Sequence, residues 1–454
     1  MTQEETQRMK KKGSIVGLLP LFVFLVLYMG IGFTTGSFDN LPLMVGILIA
    51  VGVALSLQRP GSTKETRTSF DEKVQIFCQG GGDHTLILMV LIFILAGAFY
   101  SIASGMHAVD TVVNIGLSVL PSNMILPGLF LIGCLLSFAM GTSMGTIAAL
   151  MPIGVDIANK TGVSIALVCG IVIGGAMFGD NLSFISDTTI AATRTQEVKM
   201  KDKFKMNILM VLPAVIINLI ALFTKSMGVV AIQGDYSFNL VNILPYLVVI
   251  LFSLLGLHVV IVMALGVVTG IIIGVMHGDF TIIQSFSIMQ EGMSGMQNTA
   301  IIAVLVGGMA ALMQHFGGID YLLEKLSKRT KSARGGELSI AAIVSLLDIA
   351  TTNNTVSIIT AGPIARDIAD EYHIDRRRVA SILDVFSSAF NGLLPYGAQL
   401  LVAAGLAQVA PVDIMGYNWY SMLMLVSGLA FICLGWPNFS KKAEAEELDE
   451  MSIS

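Results

Sequence analysis

An all-α polytopic membrane protein with two inverted-topology repeats, built around broken helices or re-entrant hairpins, is the fold class predicted by composition, by an internal repeat and by the placement of basic residues. Hydrophobic residues make up 54% and charged residues only 13% of the 454-residue chain, with a mean hydropathy of +0.80; an average soluble domain is roughly one-quarter charged. Ser137 to Ala158, SFAMGTSMGTIAALMPIGVDIA, aligns without gaps on Asp348 to Ala369, DIATTNNTVSIITAGPIARDIA, a shift of 211 residues (363 minus 152 at the shared Pro-Ile). Carried forward, the register sets Gly179-Asp180-Asn181-Leu182 against Phe390-Asn391-Gly392-Leu393, and Phe184 against Pro395. Residues 13–227 and 228–440 are read as the two repeats, between an N-terminal segment 1–12 and an acidic tail 441–454. Repeated halves in a hydrophobic chain imply a secondary carrier whose site lies between the halves, near the bilayer midplane.

In chain order, apolar stretches run over 15–33, 41–57, 85–104, 124–140, 147–158, 163–179, 207–223, 240–255, 259–275, 299–314, 338–349, 357–368, 379–390, 394–407 and 419–436. Several are shorter than the ~20 residues a spanning helix needs, and the short ones flank the repeated motifs. Broken helices or hairpins follow, rather than fifteen full spans. The first spans of each half, to about residue 57 and over about 240 to 277, read as scaffold and the broken segments as a transport core. Amphipathic stretches 109–120 and 319–326 lie beside His107 with Asp110 and His315 with Asp320; they are read as interfacial anchors in preference to pH sensors.

Basic residues supply the orientation. Arg8 and Lys10 to Lys12 place the N-terminus inside, and Arg59, Lys64, Arg67 and Lys73 return inside two spans later. Equivalent loops then differ in charge. Lys160 stands against Arg376-Arg377-Arg378, Arg194 to Lys205 against a stretch 405–419 without Lys or Arg, and Pro121-Ser122-Asn123 against Lys325 to Arg334. The halves are therefore expected to have opposite topology, with an odd number of crossings each. A multi-pass protein of the cell inner membrane with both termini cytoplasmic is expected, its first span a permanent helix without a cleavage site.

Four polar islands interrupt the apolar sequence: Gly141 to Thr146, Gly179 to Thr189, Thr351 to Ser357, and Asp384 to Gly392 running on to Pro395-Tyr396-Gly397. Unpaired backbone in hydrocarbon costs several kcal/mol, so irregular backbone survives only around a protein-walled or wet cavity. Asp180, Asp187, Asp348 and Asp384 fall in or beside the islands, although a charged Asp at a helix centre costs about 2.5 to 3.5 kcal/mol. Carboxylates there can carry either a proton or a cation, the competition an antiporter needs. Asn181, Ser183, Ser186 and Thr188 are read with them as cation or proton ligands, Asp180 and Asp187 holding Na+. Thr142, Ser143, Thr146, Thr352, Asn353, Asn354, Thr355 and Asn391 are read as substrate-contacting. Helix capping, and pairing of Asp187 with Arg194, are the plainer alternatives for these residues.

The pair GTSMGT and GDNLSFISDTT resembles the sodium/proton antiporters of the NhaC type, within the wider ion-transporter superfamily of inverted-repeat carriers. The resemblance implies cation exchange by a two-domain carrier, with Asp180, Asn181, Ser183, Ser186, Asp187 and Thr188 as motif positions, and a homodimer. Phe184 departs from the family's usual Pro in SPxSDTT. Related carriers exchange sodium and protons for organic acids, as in malate/lactate exchange, or take up amino acids. Expected partners are thus membrane lipids and a small ion or solute, with Na+ and H+ as the moving ions, no other cofactor, no nucleic acid and no ATP.

Other chemistry fits the residues less well. Gly141-Thr-Ser143-Met-Gly145 matches the G-x-S-x-G nucleophile elbow, but an elbow needs a strand-turn-helix and the repeat puts Asn354 in place of Ser143. Cys78, Cys134, Cys169 and Cys433 lack metal or redox spacing, and the 26 methionines are spread as packing residues. A passive pore is the remaining alternative, which the repeat disfavours.

Overall fold

The computed structural model describes residues 13–35, 40–59, 67–119, 121–184, 186–227, 238–255, 257–327 and 332–436. The N-terminal segment 1–12 and the tail 441–454 lie outside the described residues, as do Lys64, Lys328, Arg329 and Lys331 of the charge comparison. The described residues hold helices and no strand. In chain order these are α1 (Leu19–Thr35), α2 (Leu43–Ser56), α3 (Phe70–Gly81), α4 (His84–Gly105), α5 (Ala108–Val119), α6 (Ile125–Met140) and α7 (Ser143–Thr161). Then come α8 (Ile165–Leu182), α9 (Asp187–Gln196), α10 (Met200–Ser226), α11 (Leu244–Leu254), α12 (Val259–His277), α13 (Ile282–Gly295) and α14 (Gln297–His315). The chain continues as α15 (Gly318–Ser327), α16 (Ala333–Thr351), α17 (Asn354–Glu371), α18 (Arg376–Asn391), α19 (Ala398–Ala407), α20 (Pro411–Met415) and α21 (Trp419–Leu434). Among the described residues, six segments are long and apolar enough to cross a membrane: Ile15–Gly32, His84–Gly105, Ile165–Gln196, Met200–Ser226, Val259–His277 and Gln297–His315.

The element order repeats. Helices α7, α8 and α9 begin at 143, 165 and 187, and α17, α18 and α19 begin at 354, 376 and 398, each 211 residues later. Residues of different type but similar turn and capping roles thus break the chain at equal offsets. Helix α6 ends at Gly141, whose φ of 66° is left-handed, and Thr142 caps α7 by accepting from the Gly145 amide at 3.5 Å. In the second half Thr352 takes the same left-handed turn at φ 54°, and Asn353 caps α17 from the Val356 amide at 3.0 Å. A threonine held there costs on the order of 1–3 kcal/mol, a strain placed at one of the four breaks.

Packing joins the halves. One apolar core runs from Leu86 on α4 to Ile432 on α21, and a second cluster links α1 and α2 to α14. Helices α4 and α13 cross with their backbones nearly touching: a Cβ on Gly97 would sit 2.2 Å from the Gly292 carbonyl oxygen, and one on Gly292 2.1 Å from that of Gly97. Small residues permit such approach where lipid offers no hydrophobic drive between helices.

Two helices and two lysines differ from expectation. Helices α3 and α13 occupy stretches without a long apolar run, because their sequences, FDEKVQIFCQGG and IIQSFSIMQEGMSG, are amphipathic and short. Lys73, counted as a loop charge, lies buried in α3 and donates to the Leu55 carbonyl at 2.8 Å. Lys203, also counted as a loop charge, is 1% exposed within α10. Of the three arginines of the second-half loop, Arg378 is buried too, donating to Glu337 at 2.5 and 2.9 Å beneath the Phe431 ring. Fewer exposed charges therefore distinguish the equivalent loops, and labelling tests which faces they occupy. Cysteines introduced at Thr161 and His373, in a background lacking the four native ones, are expected to react from opposite faces of the membrane; reaction from one face would mean parallel repeats.

Candidate functional site

All four breaks meet at one cavity of about 120 Å³. Gly141, Thr142 and Ser143 reach it from the α6–α7 break, and Asp180, Ser186, Asp187 and Thr188 from the α8–α9 break. Thr352 to Thr355 come from the α16–α17 break, and Asn391, Ala398 and Gln399 from the α18–α19 break. Four helix N-termini, those of α7, α9, α17 and α19, thus end at the cavity. Each carries roughly half a positive charge, and Asp180 from the last turn of α8 and Asp187 from the first turn of α9 bring two carboxylates to the same space.

Hydrogen bonds hold the lining. The Ser186 hydroxyl donates to Asp180 Oδ1 at 2.5 Å and lies 2.9 Å from the Thr188 hydroxyl. Across the halves, Gln399 Nε2 donates to Ser143 Oγ at 3.2 Å. Asn353 and Asn354 spend their side-chain oxygens on the α17 terminus, Asn354 accepting from the Thr355 amide at 3.1 Å. Asp180 is buried, whereas Asp187, at the first turn of α9, is exposed and has no ion-pair partner among the described residues, Arg194 included. No group of three or more His, Cys, Asp or Glu that could hold a metal occurs among the described residues. A cation here would therefore draw on the two carboxylates together with hydroxyl and amide oxygens, the hard ligands such ions prefer.

Other expected site residues lie behind this lining. Asp384 is fully buried on α18 and ion-paired with Lys203 of α10. Lys203 Nζ also donates to the Asn181 carbonyl at 2.7 Å and to Thr189 Oγ1 at 3.0 Å. The Asn181 side chain is held at 2.6 Å by Asn207 Nδ2. Asp384 and Asn181 thus tie α8, α10 and α18 together and do not line the cavity. Asp348, equally buried, accepts from Asn391 Nδ2 at 3.2 Å and is likewise outside the lining. Ser183 is buried at the C-terminal end of α8, and the Thr146 hydroxyl turns back to the Thr142 carbonyl at 2.9 Å. Phe184, which replaces the resembled family's proline, stacks on Phe204 with ring centres 5.0 Å apart and meets Phe138 edge-on, so an aromatic cluster borders the break.

Sequence reasoning missed Lys203, Asn207 and Gln399. The lysine was hidden in the alternating run Lys199, Lys201, Lys203, Lys205, which reads as solvent-facing. A signal was present: Lys203, Asn207, Met210 and Ala214 recur at helical spacing and are all buried on one face of α10. Gln399 stands 211 residues after Thr188 and could have been found from the repeat.

A family model described as the Na+/H+ antiporter family matches residues 14–224 and again 175–439. The malate-2H+/Na+-lactate antiporter of Bacillus subtilis is 24% identical over 92% of this chain and 93% of its own. The Na+/H+ antiporter NhaC of the same organism is 24% identical over 78% of this chain and 84% of its own. Among solved structures, the Alcanivorax borkumensis YdaH transporter matches over 93% of this chain and 99% of its own, at 14% identity and a TM-score of 0.44. With both halves matched and the membrane helices in place, the chain is a multi-pass membrane protein belonging to the Na+/H+ antiporter family.

Proposed function

We propose that the chain exchanges Na+ for H+ at this cavity, with Asp180 and Asp187 as the carboxylates for which the two cations compete. The observation that carries the reading is the meeting of both carboxylates with hydroxyls and amides from all four breaks around one small space. Sodium entering past exposed Asp187 would gain oxygens from Asp180, Ser143, Ser186 and Thr188; protonation removes the charge that holds it. Alternating access follows if the broken-helix core moves against the scaffold helices α1, α2, α11 and α12. A homodimer in the inner membrane, with both termini cytoplasmic, completes the proposal.

A second reading has its own support. Four helix N-termini and the amides of Asn353, Asn354, Asn391 and Gln399 suit a carboxylate-bearing solute, and one relative is named for malate and lactate exchange. Asn354→Asp separates the two. For sodium it keeps an oxygen ligand and adds charge, so calorimetry of the purified protein should show sodium affinity preserved or raised. For an anionic solute it removes a donor and adds repulsion. Sodium binding left intact while a malate or lactate response is lost would favour the solute carrier.

A further inference from the structure

A second cavity, of about 350 Å³, shares no lining residue with the ion site. It lies between α11 on one side and α6 and α7 on the other, with α5 completing the wall. Every described residue that lines it is aliphatic except Tyr246, whose ring meets Phe99 edge-on with centres 5.2 Å apart. Such walls offer water too few hydrogen-bond partners, and aliphatic cavities of about 150 Å³ stay dry and take small hydrocarbons. This one is more than twice that size and falls within the roughly 300–1,000 Å³ of ligand pockets.

Its length and its mouth are those of a slot for a lipid tail. Along α6 it reaches from Ile125 to Leu136, about 16 Å at a rise of ~1.5 Å per residue. That is close to half the ~30 Å hydrocarbon core of a bilayer, the depth of one leaflet. Helix α6 runs in the same sense, from the turn Ser122–Met124 to the break at Gly141. Leu129, Leu150 and Val249 are buried in the walls, whereas Ile132 on α6 and Leu247 on α11 line the cavity and are 46% and 50% exposed. In a membrane-spanning chain, apolar side chains exposed in this way face lipid, and exposed Leu135 and Leu251 extend the surface along both helices. The cavity therefore opens sideways, onto the tails of the bilayer. At the start of α6 the Ser226 hydroxyl donates to the Ser122 carbonyl at 2.7 Å, so exposed Lys225 in the last turn of α10 brings a cation to that end of the slot.

We propose that one acyl chain of a membrane phospholipid occupies this slot, entering between Ile132 and Leu247 with its phosphate at the Lys225 end. Inside, the chain regains the dispersion contacts it had among other lipid tails, and its last carbons reach toward Leu136 and Ala149. The phosphate accounts for a cation at the boundary, since basic residues beside membrane helices hold anionic headgroups. Helix α11 is part of the scaffold, whereas α6 and α7 meet at the break that carries Gly141, Thr142 and Ser143 into the ion cavity. The chain thus lies on the surface along which the core is proposed to move. Lipid binding at the slot stands or falls separately from the sodium reading.

The test is photolabelling of the full chain, reconstituted in phosphatidylcholine that carries a diazirine in its acyl chain, with the adducts mapped by mass spectrometry. Adducts are expected on Leu129, Leu150 and Val249, which are buried from the surrounding bilayer, as well as on exposed Leu135 and Leu251. Ala149→Phe, which puts a ring into the slot, should lose the first set and keep the second. If that variant does not fold, the wild-type map decides alone. Adducts confined to Leu135 and Leu251 overturn the slot. Labelling of the buried set by a diazirine fatty acid but not by the phospholipid overturns the phospholipid as occupant. Protection of all five positions overturns it as well, and assigns the face to a second copy of the chain.

Discussion

Asp180→Asn is expected to reduce coupled exchange to background in proteoliposomes while the protein still inserts and folds. The amide keeps an oxygen to accept from Ser186, whose hydroxyl lies 2.5 Å from Asp180 Oδ1, so the local turn survives. What is lost is the titrating charge. Removing one member of a desolvated charge pair costs about 2–5 kcal/mol, roughly 30-fold or more in sodium affinity. Asp187→Asn should weaken transport by the same logic but less, because Asp187 is exposed and partly solvated. Wild-type exchange with an unchanged pH profile in folded Asp180→Asn would remove this carboxylate from the site.

Lys203→Met should be the most destabilising single change. It strands Asp384, 0% exposed, without its cation, and breaking a buried pair from one side costs about 3–5 kcal/mol. The Asn181 carbonyl would keep one donor, Asn207 Nδ2 at 2.9 Å, so the penalty falls chiefly on the orphaned carboxylate. Combining Lys203→Met with Asp384→Leu should recover most of the loss, since an apolar pair of similar volume needs no partner. Thermal unfolding in detergent measures both. A Lys203→Met protein as stable as wild type, or a double variant less stable than the single, would show that the pair does not bear on stability.

The site was legible where chemistry stood out against its background. Gly141-Thr142-Ser143, Ser186-Asp187-Thr188, Thr352-Asn353-Asn354 and Asn391 are polar residues in apolar surroundings, and each marks one of the breaks that line the cavity. The fixed offset predicted which breaks correspond, because two copies of one sequence pattern end and restart their helices at the same places. Burial was not legible. Asp348 and Asp384 look like Asp180 in sequence, yet both lie behind the lining, and only the packing of α10 and α16 against α18 determines that. Lys203 shows the opposite error: surrounded by other lysines it reads as a loop charge, and only a helix beginning at Met200 turns it inward. Helices α3 and α13 escaped notice because an amphipathic helix packed on other helices needs no long apolar run.

The central claim is that one cavity alternates between sodium and protons, and transport by the reconstituted wild type tests it most directly. Proteoliposomes containing an internal pH dye would receive Na+, Li+, K+, malate, lactate and amino acids in turn. The account predicts a sodium-dependent change of internal pH without any organic solute, abolished by Asp180→Asn. A pH change that appears only when an organic acid or amino acid is added, with sodium alone silent, would contradict it.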